Sequence, residues 1–216
     1  MKVTVFSDVH GDIYSLETLF KLEYSDCYIC LGDLVGYGPH SNKCIDLAID
    51  KCGIDNIIFG NHEEMFINGF PHSGCSDIAK RFFYHSYGNY SNDDRIKLFN
   101  SEKILPVPGA NSDYILTHTL NNKHIYANTI VDEISGNYLI GHSHIQFFKM
   151  INSKFKLINV GSLGQNRQSK NIASYANVYL SDGAIEFKNF FSPKVKLIND
   201  MINLGYEPDI MSYYES

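Results

Sequence analysis

Lys2-Val3-Thr4-Val5-Phe6-Ser7-Asp8-Val9-His10-Gly11-Asp12 opens with a β-branched and aromatic run that breaks directly into a carboxylate, an imidazole and a glycine. The run reads as a buried strand, and the polar residues as the loop at its carboxyl end. Asp12 is placed to cap a helix over 13–23, with Ile13, Leu16, Leu19 and Phe20 on one face. Cys27 to Leu31 returns as a second strand. Ser41 is placed to cap a second helix carrying Cys44, Ile45, Ala48 and Ile49, which Gly53 stops before a third strand at Ile54 to Phe59. Residues 1–60 therefore read β-α-β-α-β, a parallel layer of an α/β protein.

The break at Asp8 recurs. Gly32-Asp33 follows the second run and Gly60-Asn61-His62-Glu63 the third; Thr117-His118 follows Tyr114 to Leu116, and Gly141-His142-Ser143-His144 follows Tyr138 to Ile140. Loops leaving the carboxyl ends of neighbouring strands in an open α/β sheet converge on one crevice. The five clusters are thus candidates for a single site.

Between the two groups of clusters, Glu64 to about Leu105 is aromatic-rich and reads as a helical, cap-like insertion, with helices over Ala79 to Tyr87 and Asp93 to Phe99. Pro106-Val107-Pro108-Gly109 closes it. Its aromatics suit either packing on the main core or a lid or interface. From Asp113 onward strands dominate: Tyr114 to Thr117, Tyr138 to Ile140, Ile145 to Ile151, Phe155 to Val160, Ser174 to Leu180 and Ala184 to Phe190. A last helix over 194–204 ends at Gly205. One domain over 1–216 is expected.

With 216 residues and 44% hydrophobic content, the chain can bury a sizeable core. A net charge of −6 opposes nucleic-acid binding through a general basic surface. It leaves open a nucleotide held by metal. No run reaches the length of a membrane span, and no apolar leader region stands at the start. Cys27, Cys30, Cys44, Cys52 and Cys75 are sparse and odd in number, unlike a disulfide scaffold, and a cytoplasmic setting is expected. Cys27 and Cys30 lie in one strand and point to opposite faces, which opposes a redox pair.

Asp8-x-His10 alone is a weak metal signal. Joined by Asp33, Asn61, His118, His142 and His144 at equivalent positions, it becomes a strong one. His40, His72, His85 and His124 fall outside it and read as surface or core histidines. In this order the motifs resemble the calcineurin-like metallophosphoesterase family. Gly32-Asp33-Leu34-Val35-Gly36-Tyr37-Gly38-Pro39 and Asn159-Val160-Gly161-Ser162-Leu163-Gly164-Gln165-Asn166-Arg167 resemble its small bacterial and archaeal phosphodiesterase branch.

The resemblance implies a four-layer α/β/β/α sandwich of two mixed sheets. It implies one ion on Asp8, His10, Asp33 and His144, and a second on Asp33, Asn61, His118 and His142, with Asp33 bridging. His62 would be a non-ligand that contacts the phosphate and protonates, or stabilises charge on, the leaving oxygen. Arg167, Tyr37 and Asn61 would contact substrate, with a surface Arg and ordinary loop packing as the alternatives for the first two. Glu63 would orient its neighbours.

Two divalent ions can clamp a phosphoryl group and lower the pKa of a bridging water for in-line attack. Imidazole, carboxylate and amide ligands without thiolate favour Mn, then Fe, Zn, Co or Ni, over Mg or Ca. The expected activity is a phosphodiesterase acting on a small phosphate ester or nucleotide. The alternatives are a phosphomonoesterase with the same ions, and a non-catalytic scaffold resembling the retromer subunit of this fold. A homo-oligomer is left open.

Two departures bear on substrate. Gly36-Tyr37-Gly38 stands where protein phosphatases of the superfamily carry Asp-Arg-Gly, which disfavours a Ser/Thr protein phosphatase or diadenosine tetraphosphatase. Asn166 precedes Arg167 where the phosphodiesterase branch usually has Pro.

Overall fold

The computed structural model describes residues 1–108 and 113–214. Along these, the elements run β1 (Lys2–Phe6), α1 (Ile13–Leu22), β2 (Cys27–Cys30), α2 (Ser41–Cys52), α3 (Asn61–Asn68), α4 (Asp77–Gly88), β3 (Glu102–Leu105), β4 (Tyr114–Thr117) and β5 (Asn137–Ile140). They continue as β6 (Phe147–Ile151), β7 (Phe155–Asn159), β8 (Ile172–Tyr179), β9 (Ala184–Phe191), α5 (Lys194–Asn203) and α6 (Pro208–Met211).

Two mixed sheets form. One has the order β2-β1-β8-β9, with β1 parallel to β2 and antiparallel to β8. The other has the order β3-β4-β5-β7-β6, with β4, β5 and β7 parallel and both edge strands antiparallel.

The alternation within β1 explains the layering. Val3 and Val5 point toward the second sheet and bury with Ile29, Leu31, Leu116, Leu139, Ile158 and Val178. Phe6 points the other way, onto Leu16 and Leu19 of α1 and Ile45 and Ala48 of α2. Fully burying one such side chain stabilises the fold by about 1.5–3 kcal/mol. The outer face of the second sheet is covered by the irregular stretch 118–136, where Ile125 packs with Ile140, Phe147 and Leu157.

Asp12 caps α1 through its carboxylate, which accepts from the Ser15 N–H at 3.0 Å. The cap of α2 is His40 rather than Ser41, which is already the first helical residue. Cys27 and Cys30 remain free thiols, as do the other three cysteines.

The strand expected at Ile54–Phe59 is replaced by a 3-10 turn over Ile54–Asn56. Asp55 and Asn56 favour that turn, and the Asn56 amide donates to Cys52 O at 2.7 Å. Only Ile57 and Ile58 remain extended, each in an isolated bridge.

The expected helical stretch also ends early. Asp94–Leu98 is a 3-10 helix, and Glu102–Leu105 is β3, held extended before Pro106 and paired with β4. Most aromatics of the insertion pack inward: Phe66, Phe83 and Phe99 join the core under α1 and α2, while Phe70 and Tyr84 are exposed. Gly109 of the closing turn lies outside the described residues.

Candidate metal centre

The parallel strands aim their carboxyl ends at one place. Asp8 and His10 follow β1, Asp33 follows β2, His118 follows β4, and His142 and His144 follow β5. Asn61 and His62 begin α3, so Gly60-Asn61-His62-Glu63 is a helix start.

Five of these residues occupy the left-handed region: Asp8 at φ 54°, His10 at 50°, Asp33 at 56°, His142 at 67° and His144 at 60°. Such backbone is uncommon outside glycine and gathers at functional sites, where surrounding bonds hold it. Here the Asp8 N–H donates to Gly32 O at 3.0 Å, the His10 N–H to Asp33 O at 2.9 Å, and the His142 N–H to the Asp8 carboxylate at 3.0 Å. Loops from both sheets are thereby tied together.

Two glycines make the approach close enough. A Cβ on Gly60 would land on Asp33 Oδ1, and one on Gly141 would land on Ser7 Oγ and crowd Asp8 Oδ2.

Two groups result, buried except for the half-buried His142. Asp8, His10, Asp33 and His144 each place a ligand atom within 4.8 Å of one another, as do Asp33, His118 and His142. Asp33 belongs to both. Asn61 joins the second group, its Oδ1 lying 3.1 Å from His118 Nε2 and 2.8 Å from His142 Nδ1.

The imidazoles are pre-set for a cation. Carbonyl oxygens only accept, so His10, His118 and His144 must donate their Nδ1–H to Val35 O (3.1 Å), Leu31 O (2.7 Å) and Gln165 O (2.8 Å). In the neutral rings this turns bare Nε2 lone pairs inward. His10 Nε2 and His144 Nε2 face each other at 3.1 Å with no hydrogen to share. A positive charge between them relieves that repulsion, and the nitrogen and oxygen donors suit a divalent transition ion.

Without a cation, a proton takes part of that role. Burial opposes charge on His118, but the Asp33 charge and hydrogen bond outweigh it and raise the imidazole from 6.5 to about 10. Burial, with Asp33 reinforcing, pushes Glu63 up from 4.5 to about 7. Burial also opposes ionisation of Asp8, yet His144 holds its carboxyl below the usual range.

Both raised groups act in one direction. The His118 contribution to stability is complete below about 6.5 and is lost as pH rises through about 10; the Glu63 penalty is absent below about 4.5 and complete above about 7. Metal-stripped protein should therefore lose about 5 °C or more in Tm between pH 6 and pH 9.5, taking about 2–4 °C per kcal/mol for this chain length. A divalent ion displaces the His118 proton, so loading should flatten the decline. Scanning calorimetry with and without chelator reads both, and a metal-free Tm that rises over this range would contradict the assignment.

Around the ligands, burial pulls His62 down to about 4; Asp33 opposes this and His144 and His118 reinforce it. Its Nδ1 is buried with no hydrogen-bond partner among the described residues. Tyr37 packs its ring 5.1 Å from His62 and 4.8 Å from His10. Arg167 donates its backbone N–H to His144 O at 3.2 Å. Its side chain is exposed and makes no hydrogen bond or ion pair among the described residues. The Glu63 carboxylate accepts from the N–H groups of Asp33 (2.9 Å), Leu34 (2.7 Å) and Gly60 (2.9 Å), fastening two ligand loops together.

His124, expected to be an ordinary histidine, stacks on His142 at 4.1 Å with an interplanar angle of 16°. Its position after His118 on the same loop was its only sequence signal. His40, His72 and His85 lie elsewhere, paired with Asp200, Glu64 and Glu207. Among the described residues, no helix is long and apolar enough to cross a membrane.

Residues 1–183 match the model of the calcineurin-like phosphoesterase superfamily domain. An uncharacterized protein of Methanocaldococcus jannaschii is 25% identical over 217 residues, covering 85% of each chain. A metallophosphoesterase from Sphaerobacter thermophilus superposes with a TM-score of 0.76 at 19% identity, covering 99% of this chain and 98% of that one. A hypothetical protein from Pyrococcus horikoshii also superposes at 0.76, with 14% identity over 99% of this chain and 97% of that one. The matched span contains every loop that converges on the buried Asp/His cluster, and on it the chain belongs to the calcineurin-like phosphoesterase superfamily, a family of metal-dependent hydrolases.

Proposed function

We propose that the protein is a dinuclear phosphodiesterase acting on a small phosphate ester or nucleotide. The observation that carries this reading is Asp33, a buried carboxylate shared by two adjoining groups of donors whose imidazole lone pairs face inward. Asp8, His10, Asp33 and His144 would hold one ion, and Asp33, Asn61, His118 and His142 the other. When bound, such ions supply Lewis acidity toward phosphoryl oxygens and a nucleophilic water at neutral pH. Manganese is the proposed ion.

The chain's own residues orient the ester. His62 is neutral near pH 7. In this reading it hydrogen-bonds the phosphoryl group and stabilises charge on the leaving oxygen as the P–O ester bond breaks. Arg167, whose side chain has no partner among the described residues, supplies a guanidinium to a non-bridging oxygen, and Asn61, beside His118 and His142, serves as a ligand and substrate contact. A singly charged diester needs less fixed positive charge than a doubly charged monoester, which suits a mouth served by the Arg167 guanidinium.

Chelated protein reloaded with Mn, Ni, Zn or Mg should hydrolyse bis-p-nitrophenyl phosphate faster than p-nitrophenyl phosphate; a cyclic-nucleotide panel then sorts natural diesters. The opposite preference would select a phosphomonoesterase. Inactivity with every metal would select the scaffold. His62→Ala should lower kcat about 100-fold or more while metal content stays constant. Full activity in that variant would remove His62 from the mechanism.

A further inference from the structure

The chain beyond residue 183 lies outside the family match, yet it returns to the metal centre. Leu197 and Met201 of α5 and Ile210 and Met211 of α6 bury in one cluster with Tyr37 and Phe82. α6 is clamped to α4: Arg81 donates to both oxygens of Asp209 at 2.5 and 2.8 Å, and His85 pairs with Glu207 at 2.6 Å. The clamp commits both carboxylates, so they present no unpaired charge to an anionic ligand nearby.

The two tyrosines that follow are used differently. Tyr214 is 2% exposed and packs its edge on Phe82, anchoring the segment. Tyr213 is 38% exposed, so filling the core does not account for it. Its ring lies 6.5 Å from that of Tyr37 at an interplanar angle of 17°, and Tyr37 in turn contacts His62 and His10. A partly exposed aromatic ring therefore stands one ring beyond the residues around the phosphate position, packed 6.0 Å from the Phe82 ring just after the clamped helix.

Building on the phosphodiesterase reading, we propose that Tyr213 is a specificity-determining residue whose ring stacks the base of a nucleoside phosphodiester. A nucleoside carries its base one sugar away from the phosphate, and a tyrosine face takes any base because every base has a π-face. The substrate class is then a nucleotide ester rather than a simple alkyl phosphate.

The test compares two esters with one leaving group, thymidine 5′-(p-nitrophenyl phosphate) and methyl p-nitrophenyl phosphate, on the full chain loaded with Mn. Wild type should favour the nucleoside ester in kcat/KM. Tyr213→Ala should lower the nucleoside-to-methyl ratio roughly tenfold, and Tyr213→Phe should restore it. An unchanged ratio in Tyr213→Ala, including equal losses on both esters, would overturn the proposal. Calorimetric binding of thymidine 5′-monophosphate against methyl phosphate supplies an arm free of turnover. If wild type hydrolyses neither ester, the phosphodiesterase reading falls, and the Tyr213 proposal stands only if Tyr213→Ala weakens thymidine monophosphate binding relative to methyl phosphate.

Discussion

Asp33→Asn should lower turnover at least about a thousandfold, because in the proposed mechanism several kcal/mol of transition-state charge stabilisation depend on metal that Asp33 would hold. The carboxylate belongs to both donor groups, with Oδ2 lying 3.2 Å from His118 Nε2 and 3.8 Å from His10 Nε2. Its other oxygen accepts the His62 N–H at 2.9 Å and so sets the first turn of α3. The amide has nearly the same shape, so packing survives the change. Charge and proton direction do not: an NH2 facing His118 would replace an acceptor. The variant should stay folded, bind less than half the wild-type metal by elemental analysis, and lose the elevated titration of His118 by NMR. Wild-type metal content together with full activity would remove Asp33 from the centre.

The site was more legible in sequence than its frame. Ligand identity is local: Asp8, His10, His142 and His144 stand two to four residues beyond strands whose Val, Ile, Phe and Tyr content marks them, and all take the left-handed backbone that lets a short loop turn its side chains inward. The third apolar run misled because Ile54, Ile57, Ile58 and Phe59 resemble a strand in composition, while Gly53, Asp55 and Asn56 impose a turn. β3 was hidden for the opposite reason. Glu102 and Ile104 are exposed on an edge strand, and only pairing with β4, more than ten residues on, makes them extended.

Contacts set by long loops and by the C-terminal segment were not legible at all. His124 reaches His142 through the path of an irregular loop, and Tyr213 reaches Tyr37 across most of the chain. No local period encodes either. Glu63 shows the intermediate case. Its role as an orienting residue follows from its place in Gly60-Asn61-His62-Glu63, but its backbone partners Asp33, Leu34 and Val35 require the folded loops.

Lys194→Met should be the most destabilising single change outside the ligand set. Lys194 is 5% exposed; its ammonium donates to Gly164 O, lies 3.4 Å from Asp12 Oδ2 and sits 5.0 Å above the Tyr214 ring. Asp12 caps α1 just after the Asp8–His10 loop, and Gly164 adjoins Gln165, whose carbonyl orients His144. One buried cation thus joins the C-terminal helix to both loops. Removing it leaves the Asp12 carboxylate buried without its counter-charge, which costs about 3–5 kcal/mol, or about 10 °C in Tm for a chain of this length. Metal affinity should fall about 10- to 100-fold as the His144 carbonyl partner loosens. Charge imbalance is separable from lost packing: Asp12→Asn on the Lys194→Met background removes the stranded charge while keeping a capping oxygen for Ser15. The double variant should recover part of the lost Tm. If it is no more stable than Lys194→Met, then the lysine stem, not the ion pair, holds the two loops together.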